Sequence, residues 1–349
     1  MSTPVRSRRA RIGLDLSVAT ATGERSSALR WARPAHQAAR ALTRFELVPL
    51  GLSAPVNRTA RALSMRREVA RAELDLLHGL TSGLRDWPVL GPGGPVRVQT
   101  VHELPWCHGV REGADLVHRF WVRAGRAAGA HAVCPTQHVA RDLVAAGRTP
   151  TDVTVLPWGV DHAFHAHPGS IGGSTRLVLP LAGREKKRAH LAVAALTHLP
   201  REVTLELTGP DGPGLSRARL AAEASGVADR VRHLGTVPDE ELPGLFARAG
   251  AVLALATSEG FCLPVAESLA VGTPTVVSGG GAQAEVAAGA GAVCHEPDDA
   301  RCLADAIERA LGFDAAARAR AREVGARYTW SRWAEAAAVL WESLLEQRR

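Results

Sequence analysis

The chain has few aromatic and sulfur-bearing side chains: among 349 residues there are one Tyr, six Phe, eight Trp, two Met and five Cys. The cysteines, Cys107, Cys134, Cys262, Cys294 and Cys302, show neither Cys-x-x-Cys pairing nor metal-ligand spacing. That excludes a disulfide framework and a cysteine-based metal site, and isolated thiols in a reducing compartment are expected. No apolar run is long enough to span a bilayer, which excludes an obvious transmembrane helix. The first residues carry Arg6, Arg8, Arg9 and Arg11 and no hydrophobic signal-peptide core, so a cytoplasmic location is expected. Internal repeats are absent, and the remaining histidines, such as His131, His162, His165 and His167, are too scattered to suggest a metal.

What is present is Ala, Val and Leu in short blocks, with a formal charge of +7 that is unevenly placed. Residues 1–165 hold 22 Lys and Arg against 13 Asp and Glu, and residues 166–349 hold 20 against 22. A basic first half suits an anionic partner. Nucleic acid is disfavoured, because the basic residues do not interleave with aromatics and no nucleic-acid motif occurs. The segment Asn57–Leu77, with Arg58, Arg61, Arg66, Arg67 and Arg71 among apolar residues, predicts a basic amphipathic helix. It is either an ordinary surface helix, with Leu63, Ala70, Leu74 and Leu77 facing the core, or a peripheral contact with an anionic membrane at the inner face of the plasma membrane.

Strand-like runs alternate with helical stretches throughout. In the first half they are Arg11–Leu16, Phe45–Leu50, Val96–His102, Ala130–Pro135 and Val153–Pro157. In the second they are Arg176–Leu181, Val203–Thr208, Val231–Gly235, Ala251–Ala256, Thr275–Ser278 and Ala292–His295. Most are continuous apolar runs without alternation, as strands of parallel sheets covered on both faces should be. The pattern restarts after Asp161–Ser174, which reads as a linker. The expected fold is α/β, with two doubly wound Rossmann-like domains over 1–165 and 166–329 and ligands bound in the cleft between them. The apolar helix 330–349 must dock, and the first domain is the expected partner.

The most informative stretch is Ser258–Glu267. After the apolar run Ala251–Ala256, Gly260 supplies torsional freedom, Pro264 suits a first helical turn, and Gly272 with Pro274 ends the helix. A strand, turn and helix in this order aim backbone N–H groups and a positive helix end at an anion. Glu259 and Glu267, eight positions apart, flank that turn, so a pyrophosphate between two hydroxyl-gripping carboxylates is the natural ligand.

These residues resemble the retaining glycosyltransferases of family 4, which have the GT-B fold. The resemblance rests on Glu259-Gly260-Phe261-x-Leu263-Pro264-x-x-Glu267-Ser268-x-x-x-Gly272-x-Pro274 and continues through Gly279-Gly280-Gly281 and Glu285-Val286. Val101-His102-Glu103-Leu104 and Val155-Leu156-Pro157-Trp158-Gly159-Val160-Asp161 extend it into the first half. It implies transfer of a hexose-type sugar from a nucleotide-sugar, such as a UDP- or GDP-sugar, to a glycan, lipid or small-molecule acceptor. Anomeric configuration would be retained, with no cofactor and no essential metal. It also implies that Glu259 and His102 hold sugar hydroxyls and that Glu267 holds the ribose. Backbone amides of Gly260, Phe261, Cys262 and Leu263 would face the diphosphate or sugar. Arg184, beside Gly183, would meet the leaving diphosphate. The family's companion Lys aligns with Ala189, so Lys186, Lys187 or Arg188 must replace it; Lys187 is included among the catalytic candidates. Two further departures are the glycine-poor loop Ser17–Arg25 and Cys262 in place of a common Gly. They leave room for a second reading, a catalytically impaired homologue that only binds a nucleotide-sugar or glycan.

Overall fold

The described residues form two six-stranded sheets in which every pairing is parallel. They come from a computed structural model that describes residues 8–16, 29–51, 67–80, 94–110, 115–167, 169 and 172–349. The first sheet contains β1 (Arg11–Asp15), β2 (Glu46–Leu50), β3 (Leu76–Gly79), β4 (Val96–Thr100), β5 (His131–Cys134) and β6 (Val153–Val155), in the order β2-β1-β3-β4-β5-β6. The second contains β7 (Arg176–Leu179), β8 (Thr204–Thr208), β9 (Val231–Gly235), β10 (Ala251–Ala254), β11 (Thr275–Ser278) and β12 (Ala292–Cys294), in the order β12-β11-β10-β7-β8-β9. Parallel sheets with mostly buried inner strands, half-exposed edge strands such as β2, β6 and β9, and helical crossovers make both units Rossmann-like, and the second has the strand order of a doubly wound dinucleotide fold. Its topological switch lies between β7 and β10, so the loops after those two strands share one crevice.

One sequence expectation is overturned. Of the helix expected over Asn57–Leu77, residues 57–66, including Arg58, Arg61 and Arg66, lie outside the described residues; residues 67–71 are helical, and then the chain changes course. Glu73 takes a left-handed turn (φ 45°), and Leu76–Gly79 becomes β3, an inner strand between β1 and β4. Four consecutive fully or nearly fully buried residues need partners on both edges, and sheet pairing supplies them where a one-sided helix would not. Ala70, expected to face the core, is exposed.

Two chain crossings join the halves side by side. On the first, after β6, Val160 N–H donates to the Tyr328 carbonyl on the second (2.9 Å). A side chain at Gly159 would overlap the Trp330 backbone. Asp161 then caps the short helix His162–Ala166. After the second crossing, the helix Trp330–Glu346 begins at Thr329, whose hydroxyl accepts from Arg332 N–H. Its buried face of Trp330, Trp333, Ala337, Ala338 and Trp341 packs with Ile12, Leu14 and Leu76 of the first sheet, so the chain's last helix belongs to the first core.

That helix also fixes a buried histidine. Trp341 Nε1–H donates to His78 Nδ1 (3.2 Å), and His78 Nε2 lies 3.0 Å from the Thr100 hydroxyl. Nδ1 must therefore keep its lone pair, and protonation would set it against the indole N–H. Burial pushes the His78 pKa down to about 3, with the His131 charge acting in the same direction. The unfolded chain binds a proton at this residue as pH falls through its ordinary 6.5, while the folded chain refuses it until about 3. Stability from the neutral ring is thus fully present above pH 6.5 and lost on acidification, at roughly 1.4 kcal/mol per pH unit within that window. Urea unfolding between pH 4.5 and 7.5 should show this slope added to that of other buried histidines such as His102, and His78→Gln should lower the total by roughly 1.4 kcal/mol per pH unit; an equal slope in the variant would refute the assignment.

Candidate functional site

The crevice at the switch point is lined from both halves of the chain. A cleft of about 980 Å³ takes Val110 from the first half and Gly183, Arg184, Lys186, Arg188 and Thr257 from the second. Gly183 is required at the exit from β7, because a Cβ there would overlap the Pro210 carbonyl of the adjoining loop. Arg184 follows it, exposed to the cleft. A turn of 3₁₀-helix, Glu185–Lys187, then leads through Arg188, in left-handed conformation (φ 55°), to the buried helix Ala189–Leu196.

This turn settles which basic residue faces which acid. Lys187, 7% exposed, places Nζ 2.5 Å from Glu259 Oε1, in the loop after β10. Burial opposes charge on both groups, yet each charge favours the other. Glu259 is held below the ordinary carboxylate range by Lys187 and Lys186, and Lys187 is held above its ordinary value by Glu259, so the pair is ionised. Lys186 instead reaches Glu103 of the first half (3.1 and 3.2 Å). Arg188 approaches Asp298 (3.5 Å). Ala189, where alignment puts the family lysine, carries no charge and is buried.

The loop after β10 has the expected strand, turn and helix order, with the helix running Leu263–Val271 and Gly272 (φ 78°) closing it. Its torsional strain is not at Gly260. The left-handed residue is Cys262 (φ 66°), just before the helix. Gly260 is needed for a different reason: a Cβ would overlap the carbonyl oxygen of His102, at the end of the first-half strand β4. The Thr136 hydroxyl also donates to the Gly260 carbonyl (2.8 Å). Phe261 is buried, with its ring 5.4 Å from those of Trp158 and Tyr328 on the two crossings.

His102 sits among Trp31 and Trp158, with ring centroids 4.4 and 5.1 Å away. Its Nε2 is 3.1 Å from the Leu80 carbonyl, so that nitrogen carries the proton and Nδ1 keeps a lone pair. Nδ1 is buried and meets no hydrogen-bond partner among the described residues. Burial lowers the pKa to about 4, outweighing the opposing Leu80 hydrogen bond, so the ring is a neutral acceptor near pH 7.

Glu267 is 1% exposed and turns toward a second cavity, of about 560 Å³, shared with Arg33, Gln37, Asp161, Asp239 and Glu240. The structure therefore gathers Gly183, Arg184, Lys187, Glu259 and the turn through Cys262 around the switch point, sets His102 against Gly260, and leaves Leu263 with Glu267 on the second cavity. It does not bring Glu267 to the cleft lined by Arg184. The glycine-poor loop Ser17–Arg25 lies outside the described residues.

Sequence reasoning leaves Glu285 as either a structural or a nucleotide-side contact, and it misses Thr136 altogether. Glu285 accepts from the backbone N–H groups of Gln137 (2.7 Å) and His138 (2.9 Å), capping from the second half the first-half helix Gln137–Ala145. A carboxylate at a helix N-terminus is favourable, but no local signal places it there across 148 positions.

Two facing Rossmann-like units joined by paired crossings, with an ionic crevice at a switch point, define a GT-B architecture. Residues 10–164 match the family model described as Glycosyltransferase Family 4, and residues 174–326 match that of Glycosyl transferases group 1. The chain belongs to the family 4 glycosyltransferases. It is similar to the D-inositol 3-phosphate glycosyltransferase of Corynebacterium urealyticum, at 35% identity over 143 residues, or 39% of this chain and 34% of that protein. The match thus spans about a third of that relative's length. Among solved structures, sucrose-phosphate synthase from Thermosynechococcus elongatus superposes with a TM-score of 0.74 at 17% identity, covering 97% of this chain and all of that one. Anabaena HepE in complex with UDP-glucose superposes with a TM-score of 0.71, also at 17% identity, covering 95% of this chain and 99% of that one. At such identities these structures establish the fold.

Proposed function

We infer that the protein is a retaining glycosyltransferase that moves a hexose-type sugar from a UDP- or GDP-sugar to a glycan, lipid or small-molecule acceptor. The observation that carries this reading is the ionised, nearly buried Lys187–Glu259 pair beside Arg184 at the switch point. When the glycosidic bond to the diphosphate breaks, negative charge grows on the leaving oxygen, and fixed cations there lower the barrier. Arg184 and Lys187 supply those cations from the protein itself, which supports a metal-independent reaction. Glu259, oriented by Lys187, accepts from donor-sugar hydroxyls, and the Nδ1 lone pair of His102 accepts from another. Names of relatives point the same way: one acts on an inositol phosphate, and one fold neighbour holds UDP-glucose.

The test is a panel of UDP-, GDP-, ADP- and dTDP-sugars assayed for nucleoside diphosphate release with and without EDTA, with product anomers read by NMR. Release that survives EDTA, with an anomer matching the donor, is expected. Nucleotide binding without hydrolysis or transfer would replace this reading with the binding-only homologue.

Glu267 is assigned to the ribose, which requires the second cavity to communicate with the cleft when donor is bound. Glu267→Ala should weaken nucleoside diphosphate binding by about tenfold or more, the value of a charge-assisted hydrogen bond. Unchanged affinity by calorimetry would remove it from the nucleotide site.

No helix among the described residues is long and apolar enough to cross a membrane. A peripheral contact with anionic lipid is proposed on a different element from the one the sequence suggested. The helix Asp115–Ala127 exposes Leu116 (81%), Val117 and Phe120, with Arg123 also exposed. Apolar residues beside a cation suit the headgroup boundary. Leu116→Ser/Phe120→Ser should reduce cosedimentation with phosphatidylglycerol vesicles several-fold; unchanged cosedimentation would dismiss the contact.

A further inference from the structure

Away from the ionic crevice, two elements of the first half bring two imidazoles to one carboxylate. The 3₁₀ turn Pro105–His108 ends in His108, and the helix Gln137–Ala145 carries His138 and Asp142 four positions apart, hence on one face. His108 Nε2 lies 2.7 Å from Asp142 Oδ2, and His138 Nε2 lies 3.9 Å from the same oxygen. The two rings stack, with centroids 4.8 Å apart and planes at 23°. The three side chains are 27%, 14% and 15% exposed, so the cluster opens to solvent without being loose. One potential ligand atom from each residue falls within 4.8 Å of the other two, and no other such trio occurs among the described residues.

We propose that His108, His138 and Asp142 form a binding site for a divalent transition-metal ion of the zinc class, with water completing its coordination. Two imidazoles and a carboxylate are the donor set that Zn²⁺ accepts, and harder ions such as Mg²⁺ prefer all-oxygen sites. Tetrahedral bonds of about 2.0–2.1 Å set donor atoms roughly 3.4 Å apart. The 2.7 Å contact must open and the 3.9 Å contact must close, each by well under 1 Å, and the two stacked rings, whose donor atoms lie within 4.8 Å, must turn so that both nitrogens converge on the ion. Without an ion, one carboxylate oxygen forms a short contact with only one of two adjacent rings. With an ion, all three groups are used.

The helix supplying two ligands is anchored at its start, because Glu285 holds the His138 backbone N–H. Closure on an ion therefore falls to the turn bearing His108. That turn lies on the segment running from His102, which abuts Gly260, through Glu103, the partner of Lys186, to Val110 at the cleft wall. A bound ion clamps this segment to the helix Gln137–Ala145 without touching reacting atoms. It acts as a structural ion, distinct from the transfer chemistry proposed above.

Full-length protein stripped with a chelating resin should bind one Zn²⁺ per chain by calorimetry, and Co²⁺ should give the visible spectrum of a nitrogen–oxygen site. His108→Ala, His138→Gln and Asp142→Asn should each weaken Zn²⁺ binding by more than the 10–100-fold that loss of even an outer-shell partner costs. Circular dichroism verifies that each variant is folded, and the exposed His108 position is the one least expected to disturb folding. Cys294→Ser/Cys302→Ser, which removes the only adjacent thiol pair among the described residues, should leave binding intact. Absence of saturable binding, persistence in all three ligand variants, or loss in the double cysteine variant would overturn the proposal.

Discussion

Lys187→Met is expected to destabilise the protein by about 3 kcal/mol and to lower sugar transfer at least a hundredfold. The stability loss follows from what remains: Glu259, 13% exposed at its side chain, would keep its burial and lose the charge in contact with it. Breaking a buried ion pair from one side costs roughly 3–5 kcal/mol, because the orphaned charge is no longer compensated. Acid should shrink the deficit. In the wild type, Lys187 helps to hold the Glu259 pKa below its ordinary 4.5, so the pair's stabilisation is present above that pH and is lost below it. In the variant, burial dominates and raises that pKa, so the folded state gains by taking up a proton as pH falls from 7. The two stability curves should therefore converge toward pH 4. The loss of transfer follows separately from removing the cation proposed to face the leaving diphosphate, where one stabilising donor is worth about 10²–10³. Lys187→Met/Glu259→Gln separates the effects, because it restores much of the stability at pH 7 and none of the transfer. Urea unfolding and nucleoside diphosphate release, measured on all three proteins, check each part. A single variant as stable as wild type would mean that the pair is not formed in solution.

The assignment of Lys187 illustrates where sequence reading stops. Alignment through His190-Leu191 put the family lysine at Ala189, because an alignment counts residues, whereas the short 3₁₀ turn and left-handed Arg188 bring the side chain two positions earlier to Glu259. Strands were legible wherever a run was apolar throughout, as in Ala251–Ala254 and Thr275–Ser278. Leu76–Gly79 escaped because Leu74 and Leu77 continue a helical spacing, and the buried His78 is accommodated by Thr100 and Trp341, which satisfy both its nitrogens from distant parts of the chain. The Glu259–Glu267 signature predicted the turn and helix but misplaced the torsional demand, which falls on Cys262. Apart from the docking of the last helix on the first core, contacts between the halves could not be read. Glu285 capping a distant helix, and Thr136 holding Gly260, depend on how two separately folded sheets meet, and no local pattern encodes that meeting.

Gly260→Ala is expected to separate that meeting from the fold of each half. The obstacle is backbone against backbone: a methyl group at 260 would overlap the His102 carbonyl and press on Glu103 Cβ. No rotamer change relieves an overlap with a carbonyl oxygen, so either the loop after β10 retreats or the halves move apart. Retreat is opposed by the neighbouring Phe261, which is buried among Trp158 and Tyr328. Both routes displace Glu259 relative to His102, and a shift of about 1 Å in a reacting site can cost a hundredfold in rate. Each sheet retains its own apolar core, so the variant should remain folded by circular dichroism. Its transfer rate should fall by about two orders of magnitude, and its radius of gyration by X-ray scattering should rise. Thr136→Val is the control, because it removes the hydroxyl's bond to the same glycine and its cap on the helix Gln137–Ala145, each worth about 1 kcal/mol, without adding bulk. It should leave the radius of gyration near that of the wild type. A Gly260→Ala protein with wild-type scattering and full transfer would show that the His102–Gly260 approach is not part of the working enzyme, and that catalysis proceeds from a more open arrangement of the halves.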